Sequence, residues 1–206
     1  MIKKYPNMYG AIGIHPEDVD GVMPDDIKFI EDNLSNEKIV AIGEIGLDYY
    51  YTKENKEEQI KLFESQLSLA EKHNMPVIVH SRDATEDTIN SLKKFMCKGV
   101  IHSFSGSLET ARIYIKMGYL LGVNGVITFK NAKIKDVIKE VGLKNIVLET
   151  DSPYLTPVPF RGTQNNPGHV LEIAQFVADL YNISLEELAE QTNNNITNMY
   201  KKMKLD

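Results

Sequence analysis

Short apolar runs alternate with longer amphipathic segments along the whole chain. Six runs read as strands: YGAIGI (9–14), IVAIGEIGL (39–47), PVIVH (76–80), GVIHSF (99–104), YLLGVNGVI (119–127) and NIVLETD (145–151). Most are continuously apolar rather than alternating, the pattern of parallel strands buried on both faces. The segments between them carry helical periodicity. In 54–73, Ile60, Phe63, Leu67 and Ala70 share one face, and Asn74 with Pro76 stops the helix. Ser107 is placed to cap a helix over 108–117 that Gly118 ends. Ile134, Val137, Ile138 and Val141 form a further stripe closed by Gly142. Asn166 and Pro167 open a helix near 167–181, and Ser184 and Glu187 have capping-box spacing ahead of a last one.

Alternating strands and helices predict a parallel α/β fold. Two architectures fit, an open doubly wound sheet and a TIM-type (β/α)8 barrel. The open sheet's dinucleotide-binding form needs a G-x-G-x-x-G turn after the first strand, and none is present. The barrel is favoured by where the polar residues fall. The first strand run ends in His15, the second carries Glu44, the third ends in His80, the fourth contains His102 and the last ends in Asp151 after Glu149. In a barrel, strand C-termini share one face, so these groups would converge there. The chain has five histidines, and three take these equivalent positions. His73 suits a helix C-terminus, and His169 reads as structural. Imidazole and carboxylate donors together fit a divalent metal, Zn, Mg or Mn. Such a metal could activate water against a phosphoester.

Composition narrows the setting. The 206 residues carry a formal net charge of -6, which argues against a broad phosphate-gripping surface while leaving room for a local one beside a metal. No apolar run approaches the roughly 20 residues that span a bilayer, and the N-terminus lacks a signal-peptide pattern. Cys97 is the sole cysteine, so no intrachain disulfide forms. These features predict a cytoplasmic protein without a membrane partner.

Five stretches, GIHPEDV (13–19), IGEIGLDYYY (42–51), VIVHSRDA (77–84), VIHSFSG (100–106) and LETDSPYLTPVPFRG (148–162), resemble in order and spacing the motifs of TatD-type metal-dependent hydrolases. These are deoxyribonuclease-like members of the amidohydrolase-like barrel superfamily. The resemblance implies a nuclease that cleaves DNA phosphodiester bonds with metal-activated water. It implies that Glu44 bridges two metals, that His80 and His102 complete the second site, and that Asp151 binds the first metal and orients or deprotonates the water. It sets His15 facing the substrate, with Arg82 and Arg161 on substrate phosphate and Lys130 a lesser candidate. Tyr49, Tyr50 and Tyr51 lie beyond the strand end, where rim packing is the expectation and base stacking the alternative. Asp48 reads as a loop or supporting residue.

The family pattern also begins with a strand bearing Asp-x-His-x-His, which this chain does not contain. Six strand runs stand where a closed barrel has eight. The expectation is a single partial barrel domain over residues 1–206, an incomplete (β/α)8 barrel without about its first two βα units. On that reading, KKYPNMYGAIGIHP begins with the end of a helix. The family's complete site takes two divalent ions. Here the first would keep only Glu44 and Asp151, and the second Glu44, His80 and His102, so that one ion is the reduced alternative. An abbreviated reading of a longer gene, a short one-metal paralogue, and a gap filled by a partner chain all fit, and retention of every later site residue favours the first. An open barrel edge would promote self-association. Two other functions remain open: hydrolysis of small-molecule esters or amides, and a catalytically impaired metal-binding fragment.

Overall fold

The computed structural model describes residues 2, 4–52 and 54–204; Lys3, within the expected N-terminal helix end, lies outside the described residues. The chain forms two compact units, residues 1–101 with 197–206, and residues 102–196.

The first unit is built on four parallel strands, β1 (Gly10–Ile12), β2 (Ile39–Asp48), β3 (Val77–Arg82) and β4 (Gly99–Ile101), side by side in chain order. Their helices are α1 (Pro24–Asn33), α2 (Lys56–Lys72) and α3 (Thr85–Leu92). Among them α1 and α3 were not singled out by the sequence pattern. Both are short; α1 buries Ile30, and half of the buried residues of α3 are polar, Thr88 and Ser91 beside Ile89 and Leu92. Ahead of β1, Lys4, Pro6 and Asn7 lie in turns rather than at a helix end; Pro6 has no N–H to continue a helical ladder.

β2 is the central element of this unit. Every residue of it is buried except Glu44. Its register against β3 pairs Ile42 with Val77 and Ile45 with Val79, so three steps on β2 oppose two on β3. That extra residue is a β-bulge, a device that re-aims a side chain out of the pleat. Glu44 falls inside it. Two residues on, Gly46 has φ 147° and lies so close to β3 that a Cβ would sit 2.0 Å from the His80 carbonyl oxygen.

Helix α2 stops as expected, with Asn74 in the left-handed region at φ 49°. Its buried face holds Phe63, Leu67 and Ala70, but also Gln59 and Gln66. The two glutamines hydrogen-bond to backbone at the end of β2 and just beyond β1. Ile14 N–H donates to Gln66 Oε1 at 2.8 Å, and Gln66 Nε2 donates to Ile14 O at 3.1 Å. Asp48 N–H donates to Gln59 Oε1 at 2.9 Å, and Gln59 Nε2 donates to Asp48 O at 2.9 Å. Buried backbone groups need such partners. His73 closes α2 with Nε2 2.7 Å from Glu31 Oε1.

The second unit carries the parallel pair β5 (Tyr119–Val123) and β6 (Ile146–Leu148) and the helices α4 (Leu108–Lys116), α5 (Ile134–Val141) and α6 (Val170–Tyr181). The last helix, α7 (Leu185–Met199), begins in this unit. Ser107 caps α4 by accepting from Thr110 N–H at 3.2 Å, and Ser184 and Glu187 form a reciprocal capping box at α7. Gly118 and Gly142 follow α4 and α5 at φ 90° and 81°. The core contains Ala111, Leu121, Val123, Ile138, Ile146, Ile173 and Val177. The run 119–127 is not one strand. β5 stops at Val123 because Asn124 turns the chain: its Oδ1 accepts from Val126 N–H at 3.1 Å and caps a 3-10 turn over Gly125–Thr128. The helix expected from 167 likewise starts with a 3-10 turn, Pro167–His169, before α6.

Candidate functional site

In the first unit, His15 beyond the end of β1, Glu44 in the β2 bulge and His80 in the second half of β3 come together. One ligand-type atom from each lies within 4.8 Å of the others. The β2 bulge turns Glu44 toward β3, where its Oε1 lies 2.9 Å from His80 Nδ1. His80 Nε2 lies 2.8 Å from Asp48 Oδ2. Asp48 is 4 % exposed and is the last residue of β2, not a loop residue. Its other oxygen accepts from Tyr50 N–H at 2.9 Å. His15 stands edge-on to His80 with ring centroids 4.7 Å apart, and its Nδ1 accepts from Glu17 N–H at 3.3 Å.

The two rings are tuned in opposite directions. Burial lowers the His15 pKa from its ordinary value of 6.5, and the neighbouring His80 lowers it further. Burial also disfavours the charged form of His80, but the hydrogen bonds to Glu44 and Asp48 outweigh it and the net pKa is raised. Three half-buried N and O donors within ligating reach fit a divalent transition metal, with coordination positions left for water or substrate. Asp48 on the far ring nitrogen matches the carboxylate–histidine pairing that orients metal-bound imidazoles.

In the second unit, His102 is likewise held between two carboxylates. Its Nδ1 lies 2.9 Å from Glu149 Oε2 and its Nε2 3.2 Å from Asp151 Oδ1. Phe104 N–H donates to Gly122 O and Glu149 N–H to Val123 O, each at 3.0 Å, so both segments flank β5. Glu149 also accepts from Ser103 N–H at 2.6 Å. Gly122 makes room for that carboxylate, because a Cβ there would sit 2.5 Å from Glu149 Oε2. Ser103 and Asp151 both occupy the left-handed region, at φ 49° and 56°. Such conformations cost on the order of 1–3 kcal/mol and need support from their surroundings. Buried Asn165 gives some of it by donating to Thr150 O at 2.7 Å.

The proposed phosphate contacts take different surroundings. The Arg82 guanidinium lies 3.6 Å from the Tyr50 ring centroid, and that of Arg161 lies 3.7 Å from Phe129. Lys130 is exposed. His169 stacks on Phe160 at 4.7 Å, in keeping with its structural reading. Sequence reasoning offered a supporting role for Asp48 as one of two readings, and missed the anchoring role of Glu149 and the glutamine clamps. The signal for the clamps is the spacing of Gln59 and Gln66, two helical turns apart on the buried face of α2.

A parallel α/β fold whose strand ends carry a His–Glu–His cluster and a carboxylate-bracketed histidine defines a metal-dependent hydrolase class. The comparisons agree. The family model described as "TatD related DNase" matches residues 1–201, and the chain belongs to this family. An uncharacterized metal-dependent hydrolase of Bacillus subtilis, YabD, is 42 % identical over 98 % of this chain and 80 % of its own length. YcfH of Escherichia coli K12, also named an uncharacterized metal-dependent hydrolase, is 37 % identical over 97 % of this chain and 76 % of its own. Among solved structures, the TatD homologue YjjV of E. coli K12 superimposes with a TM-score of 0.88 at 31 % identity, covering 97 % of this chain and 79 % of that one. An organophosphorus hydrolase of Deinococcus radiodurans, at 11 % identity and a TM-score of 0.59, shares the fold alone. Among the described residues, no helix is long and apolar enough to cross a membrane.

Proposed function

We propose that this TatD-type hydrolase cleaves phosphodiester bonds of DNA. The observation that carries the reading is the His15–Glu44–His80 cluster, whose donors lie within 4.8 Å of one another. His15, Glu44 and His80 would hold a divalent ion, which gives His15 a ligand's role in addition to the substrate-facing one. A bound dication supplies Lewis acidity, polarising a phosphoryl oxygen and acidifying water. Asp48 fixes the His80 ring by accepting from its Nε2–H. In the second unit, Asp151 is the proposed acceptor for a proton of the attacking water. His102, 3.2 Å from Asp151 and steadied by Glu149, orients that carboxylate. Arg82 and Arg161 offer guanidinium N–H groups for phosphate oxygens. The buried free thiol of Cys97 suits a reducing compartment, and we place the protein in the cytoplasm.

A panel of single-stranded DNA, duplex DNA, phosphotriesters, carboxylic esters and amides, each with Mn, Mg or Zn, tests the substrate. The reading expects DNA to be hydrolysed fastest and Asp151→Asn to lose on the order of 100-fold or more in rate. Turnover of a small-molecule ester or amide with DNA left intact would replace it with the small-molecule reading.

A further inference from the structure

The motif ending β2 contains three successive tyrosines, and the structure gives them two different jobs. Tyr49 is 3 % exposed. Its hydroxyl donates to Asp87 Oδ2 at 3.0 Å, and Lys56 Nζ sits 4.1 Å from its ring centroid. It is the packing residue of the three. Tyr50 and Tyr51 are 57 % and 71 % exposed and pack edge to face, with centroids 4.9 Å apart at 88°. The Arg82 guanidinium lies 3.6 Å from the Tyr50 centroid and 5.3 Å from that of Tyr51. Two aromatic rings and a guanidinium thus form a joined π surface open to solvent.

Its position is tied to the metal-type cluster. Arg82 is the last residue of β3, two residues beyond His80, so the two side chains emerge on the same face about 7 Å apart. Asp48, which holds His80, also holds the backbone N–H of Tyr50. The aromatic surface is therefore fixed relative to His80 by the strand and by one shared carboxylate. Both rings are open to solvent, unlike that of Tyr49.

We propose that Tyr50, Tyr51 and Arg82 form a stacking platform for an unpaired nucleobase of the strand whose backbone is presented to the His80 end of the first unit. The proposal rests on the DNA-hydrolase reading. Bases stack on aromatic rings and on Arg planes whatever their identity, so the platform favours single strands or frayed ends without reading sequence. Bases within a duplex are already stacked on their neighbours and do not reach it.

The test is equilibrium binding by the full chain of two fluorescein-labelled, phosphorothioate-linked single strands of equal length that resist cleavage, one with thymine bases and one abasic. The platform predicts that the base-bearing strand binds on the order of tenfold more tightly. Y50A/Y51A should erase that preference, bringing the two affinities to the same value, and Y50F/Y51F should retain it. Both positions lie at the surface, and an unchanged melting curve checks the fold of each variant. Equal affinity for the two strands in the unsubstituted protein, or a preference that survives Y50A/Y51A, would overturn the platform. DNA cleavage with no preference for bases leaves the hydrolase reading standing and removes only the platform. Failure to bind either strand removes both.

Discussion

Asp48 Oδ2 lies 2.8 Å from His80 Nε2, with Asp48 itself buried at the end of β2. The neighbouring strand thereby sets which nitrogen of His80 faces Glu44. With Nε2 protonated toward Asp48, Nδ1 keeps a lone pair for a cation. Asp48→Asn preserves size and the acceptor for Tyr50 N–H but removes the charge. Metal affinity, read by competition with a chelator, is expected to fall about 10- to 100-fold with little change in melting temperature.

Gln66 clamps both backbone groups of Ile14, the residue before His15. Gln66→Leu would leave a part-buried N–H and C=O without their partner. A loss of about 1–3 kcal/mol for each group that stays dry is expected. Urea unfolding should show a lower midpoint at an unchanged slope.

Gly122 is the matching test in the second unit. Gly122→Ala puts a methyl group within 2.5 Å of Glu149 Oε2, so the carboxylate must shift and loosen the contact of Oε2 with His102 Nδ1 or that of Oε1 with Ser103 N–H. The substitution should destabilise the protein by about 1–3 kcal/mol, the range for overpacking, and shift the His102 ring resonances in NMR.

The Cys97 thiol is buried, and burial, followed by the charge of Glu71, pushes its pKa from 9.0 up to about 11. At pH 8 the folded protein holds almost no thiolate, so labelling by a thiol reagent should proceed only as fast as the chain opens. The sign of the linkage follows from the upward shift. Above about pH 9 the unfolded thiol loses its proton while the folded one keeps it, so stability from this group falls as pH rises toward 11. Cys97→Ala should remove that part of the alkaline slope, measured by denaturation at pH 8 and pH 10.

The strands and most helices were legible because continuous apolar runs and helical stripes mark buried elements directly. Glu44 was legible as an anomaly, a carboxylate in an otherwise buried strand. Its metal-ligand role was read too, but the bulge that re-aims it was not, because a bulge exists only in the register between β2 and β3. Asp48 was read as a loop or supporting residue, and its place inside the strand was not legible because strand length is set by the partner, and β3 continues to Arg82 opposite it. Gln59 and Gln66 were not singled out, because the backbone groups they satisfy, at Asp48 and Ile14, lie outside α2. The three tyrosines are identical letters, and only their burial separates Tyr49 from Tyr50 and Tyr51. The run 119–127 was overextended because apolar character continues past Asn124, while capping by that residue ends the strand.

The central claim is that the Glu44–His80 cluster holds a metal on which DNA hydrolysis depends. The direct measurement is nucleotide release from a labelled single-stranded oligonucleotide after chelation and after re-addition of Mn, Mg or Zn, for the unsubstituted protein and Glu44→Gln. The account predicts no release after chelation, recovery with one or more of the three metals, and at least about 100-fold less release by Glu44→Gln with metal restored. Release that persists through thorough chelation, or a Glu44→Gln variant that matches the unsubstituted protein, would contradict it.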